Sequence, residues 1–354
     1  MKRKGKEGEI LWRSFLKTST IFALCALVPL LGIPNLLQAA SNPIKLKFAS
    51  YGQQSQGMNS YGPEFKRLVE ERSQGRLLID YYPDGQLVAN IQACEALMAG
   101  TVDISLTSLG HWSGYIPEVK FFNSVGAALD FEQFSSACDM PGGFKDILEP
   151  KFNKLGVKGL AIGDHGGSGL IFKKIVRVPA DMKGIKTRCF DEEGANFIKA
   201  CGAIPAVIPF TEVYMALQMG TIDGYLGGVP GIRAGKMYEI VKYLVVPAGL
   251  TGHATTSYQM NLKVFNALPK DLQDILIQSQ RDAEKVYRAA QKKDYFASFD
   301  ELKEVGVVIE KAAMDVNTPE WRQWYEATKH LGEKLKEEIG SQLFDITLKV
   351  RGGK

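Results

Sequence analysis

Ala96-Leu97-Met98-Ala99-Gly100-Thr101-Val102-Asp103 recurs 120 residues further on as Ala216-Leu217-Gln218-Met219-Gly220-Thr221-Ile222-Asp223, with five of eight positions identical. In each copy a helix runs to a glycine free to take the left-handed conformation, and a short turn feeds a β-branched strand. An eight-residue match also fits a common helix-to-strand turn. Taken as a repeat, it predicts two α/β lobes of like topology.

Working outward from the first copy, Ile44–Ala49 alternates like a strand, Ser50–Ser60 is a polar loop, Tyr61–Ser73 reads as a helix and Leu77–Tyr82 as a strand. Asn90–Ala99 is the helix of the repeat, and Val102–Thr107 a strand running into Ser108-Leu109-Gly110-His111-Trp112. Around the second copy come a strand at Gly159–Gly163, a glycine- and serine-rich turn at Gly163–Gly169, a strand at Gly184–Arg188 and a helix from Asp191 to Cys201. A helix capped by Thr211 and stopped at Gly220 follows, then a strand at Ser257–Asn261. From Pro269 to about Lys303 there is neither glycine nor proline, and the apolar positions keep helical spacing. That predicts one long helix, or two abutting ones; a single helix at 1.5 Å per residue is about 50 Å long, enough to span both lobes.

Residues 1–40 differ from the rest. Basic residues from Lys2 to Lys17 precede an apolar run from Ile21 to Leu37, ending in Gln38-Ala39-Ala40. This reads as a signal peptide, with a retained anchor as the alternative; Pro29, Gly32 and Pro34 interrupt the run a membrane span would need. Beyond residue 40 there are 37 Lys+Arg against 37 Asp+Glu, so the net charge of +4 belongs to the leader. A neutral chain offers no concentrated positive field for nucleic acid or an anionic membrane. Cores stop growing near ~250–300 residues, so the remaining length also favours division into two lobes. Cys25 falls in the leader; Cys94, Cys138, Cys189 and Cys201 are left as buried thiols or disulfide partners, in any of three full pairings. No Cys-x-x-Cys or Cys/His cluster points to structural zinc, and neither metal nor cofactor is expected.

Three further stretches carry a resemblance: Val178-Pro179-Ala180-Asp181-Met182-Lys183-Gly184-Ile185-Lys186-Thr187-Arg188, then Gly202-Ala203-Ile204-Pro205, then the run Pro209 to Gly224. Their order and spacing resemble the central signature of the solute-binding proteins of TRAP (tripartite ATP-independent periplasmic) transporters. Tyr82-Pro83-Asp84-Gly85-Gln86-Leu87 and Ala267-Leu268-Pro269-Lys270-Asp271-Leu272 extend the likeness more loosely. The resemblance implies the α/β two-lobed periplasmic binding protein fold with a long helix spanning both lobes. The expected division is a first lobe of 41–165 and 253–292 and a second of 166–252 and 293–354. It further implies a monomeric periplasmic protein, not an enzyme, that captures an organic anion between its lobes and passes it to membrane permease subunits.

By the same resemblance Arg188 pairs with the ligand carboxylate, for which a planar, permanently charged guanidinium is well suited; the plain alternative is a structural pair with Asp191. Phe210 matches the aromatic that packs on the ligand body, or is simply core. Strand C-termini face the ligand in open α/β sheets, which nominates Ser50–Asn59 and Ser108–Tyr115, led by His111 and Trp112. Sialic-acid-binding relatives carry a second arginine where this chain has Ser168, and an asparagine where it has Gly227. Relatives that bind 2-oxo acids through a metal carry Glu-Trp where it has Leu226-Gly227. With Tyr225, Phe210 and Trp112, these departures predict a bulkier or more apolar carboxylate. The rival readings are a binding protein serving a sensor or another transporter, and a periplasmic enzyme. For the latter, His165 beside Asp164 is the one candidate pair, since Gly-x-Ser-x-Gly and His-Glu-x-x-His are both missing from the sequence.

Overall fold

The computed structural model describes residues 42–51, 57–127 and 129–352; the leader, Cys25 and part of the Ser50–Asn59 loop lie outside them. Among the described residues ten strands are formed: β1 (Ile44–Ser50), β2 (Leu77–Tyr82), β3 (Ile104–Ser108), β4 (Val157–Phe172), β5 (Lys186–Cys189), β6 (Ile204–Val207), β7 (Gly224–Gly228), β8 (Tyr243–Val245), β9 (His253–Asn261) and β10 (Val308–Glu310). They hydrogen-bond in the order β2-β1-β3-β9-β4-β7-β5-β6, with β8 also on β4 and β10 on β8.

The repeat is real at the level of individual hydrogen bonds. Gly100 and Gly220 have φ of 76° and 72°. The Thr101 N–H donates to the Ala96 carbonyl and that of Thr221 to Ala216, at 3.0 and 2.9 Å. Asp103 N–H then donates to Lys47 and Asp223 N–H to Lys186, so each copy launches its strand alongside a parallel neighbour, β3 on β1 and β7 on β5. Two α/β lobes of like topology result.

The β4 strand joins them, and here the structure corrects the sequence reading. The glycine-rich run Gly163–Gly169 is not a turn but the middle of a 16-residue strand. Its first part pairs with β9 and its last residues with β7 and β8, with an irregularity between Asp164 and Gly167. The glycines answer to close approach instead. A Cβ at Gly163 would sit 2.1 Å from the Tyr287 hydroxyl, and one at Gly166 2.4 Å from the Tyr295 ring. Both tyrosines come from the helix Lys270–Glu304, a single 35-residue element. Its Leu272, Leu276, Ala283 and Tyr287 enter the first-lobe core with Phe48, Phe65 and Tyr258, while Leu302 joins the second-lobe core with Val213, Val229 and Leu244. The long helix therefore does span both lobes.

A smaller correction concerns Thr211, which lies within a 3-10 turn, Phe210–Glu212; the helix Val213–Gln218 begins after it without a side-chain cap. Asp191 does cap: its side chain accepts from Gly194 N–H at the start of Glu192–Ala200.

Cys94, Cys138, Cys189 and Cys201 are all buried free thiols. Burial pushes Cys94 and Cys201 up to about 12 and Cys189 to about 11, since a thiolate is poorly solvated there. In residues 41–354 all four are expected to ignore an aromatic disulfide reagent in the native state and to titrate fully in denaturant. A count below four after unfolding identifies a disulfide.

Candidate ligand-binding site

Arg188 sits near the end of β5, between β6 and β7, and is only 4% exposed. Its Nε donates to the Ile208 carbonyl at 2.8 Å and its Nη1 to that of Leu226 at 3.2 Å. The guanidinium carbon lies 5.1 Å from the Tyr225 ring centre and 5.7 Å from that of Phe190. Among the described residues no carboxylate forms an ion pair with it. The plain alternative, Asp191, is otherwise engaged: Oδ1 accepts from Gly194 N–H at 2.8 Å and Oδ2 from Asn123 Nδ2 at 2.6 Å. Burial raises the Asp191 pKa, with those two hydrogen bonds and the nearby Arg188 acting against it. A buried charge held by carbonyls and ring faces, without an anion, is a costly arrangement unless something supplies the anion.

Tyr225 is cross-strand partner to Arg188, so both side chains lie on one face of the sheet. Burial raises its pKa while Arg188 opposes through charge and a hydrogen bond. Gly227, two residues on and on the same face, is there for clearance: a Cβ would lie 2.2 Å from the Tyr225 hydroxyl. Phe210 is half-buried, with its ring 3.4 Å from where a Cβ on Gly231 would stand and the Tyr225 hydroxyl 3.3 Å from the same point. Arg188, Tyr225, Phe210 and Gly227 thus form one cluster. From the first lobe, Tyr51 at the end of β1 faces it; burial raises its pKa, Tyr287 and Tyr225 add to the rise and Arg188 lowers it.

The remaining expectations fall elsewhere. Trp112 is fully buried in the first-lobe core, edge-on to Phe152 at 5.2 Å. Its neighbour His111 is more accessible, with Nδ1 3.3 Å from the Asn90 carbonyl, and burial lowers its pKa. The turn carrying both does reach the second lobe through Gly110, where a Cβ would meet Asn123 and Asp191 at 2.7 and 3.0 Å. Ser168 is fully buried and pairs with Gly228, one residue out of step with Gly227, so it lies on the opposite face from Arg188.

His165 and Asp164, adjacent on β4, are engaged with different partners, and no hydrogen bond joins them. Asp164 Oδ1 is 2.7 Å from His253 Nδ1, and His253 Nε2 accepts from the Leu129 N–H. His165 turns to the long helix: Nδ1 is 2.8 Å from Gln291 Nε2, and Nε2 is 3.2 Å from Thr256 Oγ1 and 3.4 Å from the Tyr287 hydroxyl. Sequence reasoning missed Phe190, Asn123 and His253. Phe190 follows the arginine by two residues and was within reach of the motif; Asn123 and His253 carry no local signal.

Burial lowers the His165 pKa from 6.5 to about 4, with Asp164 and Gln291 opposing. In the unfolded chain it protonates near 6.5, so the unfolded state binds more protons below that value and stability falls as pH drops towards 4. The loss expected from this group is roughly 3 kcal/mol. A His165→Gln variant should show a flatter dependence of unfolding free energy on pH between 6.5 and 4; an unchanged slope assigns the loss to other groups.

Two α/β lobes joined by a shared strand and a long helix are the architecture of a two-lobed solute-binding protein. The chain belongs to the DctP family, bacterial extracellular solute-binding protein family 7, whose model matches residues 48–338. It is 26% identical over 320 residues to the C4-dicarboxylate-binding periplasmic protein DctP of Rhodobacter capsulatus, covering 86% of this chain and 90% of that one. To the 2,3-diketo-L-gulonate-binding periplasmic protein YiaO of Escherichia coli (strain K12) it is 27% identical over 269 residues, covering 75% and 80%. Its fold matches a TRAP periplasmic solute-binding protein from Shewanella oneidensis with bound succinate, at a TM-score of 0.79 and 20% identity over 88% of this chain and 100% of that one. Among the described residues no helix is long and apolar enough to cross a membrane.

Proposed function

We propose that this protein captures an organic acid between its lobes, by pairing the acid's carboxylate with Arg188, and delivers it to a membrane permease. The observation that carries this is the buried guanidinium of Arg188, satisfied in part by backbone carbonyls and by no carboxylate among the described residues. A ligand carboxylate supplies the missing charge and accepts two parallel N–H bonds. The relatives support the class, since a C4-dicarboxylate, a diketo-gulonate and succinate all bear carboxylates. Phe190 and Tyr225 turn ring faces to the guanidinium, and Phe210 lies beside Tyr225, which favours an acid with an aromatic or longer apolar body over a small hydroxy- or keto-acid.

In this reading the first lobe is 41–165 with 253–292 and the second is 166–252 with 293–354, save that the last helix packs Leu343 and Ile346 beside Phe121 and Phe144 in the first-lobe core. Ligand bridges Tyr51 and the Gly110 turn on one side to Arg188 on the other, and the closed form it stabilises is the one the permease recognises. The protein acts as a monomer in the periplasm. The engagement of Asp164 with His253 and of His165 with Gln291 weighs against a hydrolytic pair. A thermal-shift screen of residues 41–354 against mono- and dicarboxylates, aromatic acids included, tests the reading, because a ligand bound by the folded state alone raises the midpoint. A hit that vanishes in Arg188→Ala supports it. Hits confined to small hydroxy- or keto-acids would remove the apolar-ligand assignment, and a hit insensitive to Arg188 would remove the anchor.

A further inference from the structure

A cavity of about 660 Å³ opens in the first lobe between the helix Phe144–Lys154, the long helix and the Lys158–Ile162 stretch of β4. None of the residues around Arg188 lines it. Its size falls in the range of small-molecule pockets, roughly 300–1,000 Å³, and its floor is unlike an apolar core. Gln259 is 0% exposed, and neither its Nε2 nor its Oε1 has a hydrogen-bond partner in the protein; the Ser257 Oγ, at 1% exposure, is in the same condition. Both lie on the same face of β9, two residues apart. Across the ladder Gln259 pairs with Gly159, where a Cβ would meet nothing within 4 Å, and both residues line the cavity.

We propose that this cavity is a second ligand site, distinct from the Arg188 cleft, that takes a small molecule bearing a carboxamide. A buried amide left without partners is unfavourable, and an oxygen acceptor beside an N–H donor in one plane is best complemented by another carboxamide in reverse order. Most of the charges at the rim are already paired within the protein. Lys145 pairs with Glu284 at 2.8 Å and Asp139 at 2.9 Å, and Arg288 binds the same two carboxylates, so two cations and two anions already neutralise one another.

Calorimetric titration of residues 41–354 with L-glutamine, L-asparagine and nicotinamide tests the assignment, with L-glutamate as the carboxylate counterpart. Gly159→Leu fills the space and Gln259→Leu removes the amide; circular dichroism reports whether each is folded, and Gly159→Val serves if either is not. At least one carboxamide is expected to bind the unaltered chain and Arg188→Ala alike, within twofold, and to weaken at least tenfold in the cavity variants, which retain carboxylate binding in the cleft. Failure of all three carboxamides to bind overturns the proposal. So does carboxamide binding that is lost in Arg188→Ala and kept in Gly159→Leu, and equal binding of L-glutamate overturns the chemical class.

Discussion

Arg188→Ala is expected to weaken carboxylate binding by about 2–5 kcal/mol, roughly thirty- to several-thousandfold, measured by calorimetry on the hit of the acid screen. The range is that for truncating one partner of a buried, hydrogen-bonded charge pair, and the geometry argues for its upper part. The guanidinium is already desolvated and its Nε and Nη1 are fixed by Ile208 and Leu226, so little ordering remains to offset the gain. Arg188→Lys should recover only a fraction, because an ammonium cannot keep both carbonyl contacts and offer a flat fork to the ligand. Without ligand the sign reverses: Arg188→Met, which removes a buried charge lacking an ion-pair partner, should leave the free protein's melting temperature unchanged or raise it. Loss of stability together with affinity in Arg188→Met would mean that the arginine is a structural member of the β5–β7 ladder.

Gly252→Val should cost about 3 kcal/mol or more in urea unfolding. Gly252 has φ of +62°, and a Cβ there would lie 2.5 Å from the carbonyl carbon of Asn123 and 2.7 Å from its oxygen. Two penalties add: a β-branched residue in the left-handed region, and a collision with backbone that cannot swing aside. Gly156→Ala separates them, since Gly156 also has positive φ, +73°, but open space around its Cβ position; it should lose only about 1 kcal/mol. Gly252 also accepts from the Ser168 N–H, and Asn123 is the residue that holds Asp191. Any folded Gly252 variant should therefore bind ligand more weakly as well. Equal costs for Gly252→Val and Gly156→Ala would show that Asn123 yields to the new side chain.

The features legible in the sequence are those whose cause is local. A glycine ending a helix at positive φ leaves its mark within a few residues, so Gly100 and Gly220 revealed the repeat. The 35-residue helix followed from an uninterrupted spacing, and Arg188 from the motif around it. What was misread depends on distant partners. Gly163 and Gly166 look like turn residues until Tyr287 and Tyr295, more than a hundred positions away, are seen pressing on them. The place of Trp112 is set by Phe152, and that of Ser168 by a register with β7 that puts it on the far face. His253 and Asn123, which connect Asp164 and Asp191 across the sheet and the lobes, belong to no pattern that spacing reveals.

The position of β9 also governs when the chain can fold. In the first lobe β9 lies between β3 and β4, pairing with Ser105 on one side and Gly159 on the other through Gln259. That strand ends at Asn261, about 150 residues after β3. Until synthesis has passed that point, the lobe that begins the chain has a sheet with its middle missing and two unpaired edges. Folding therefore waits for a contact of high sequence separation, which is slow to form. A polypeptide built in this order cannot complete its first-lobe sheet until most of it has been made.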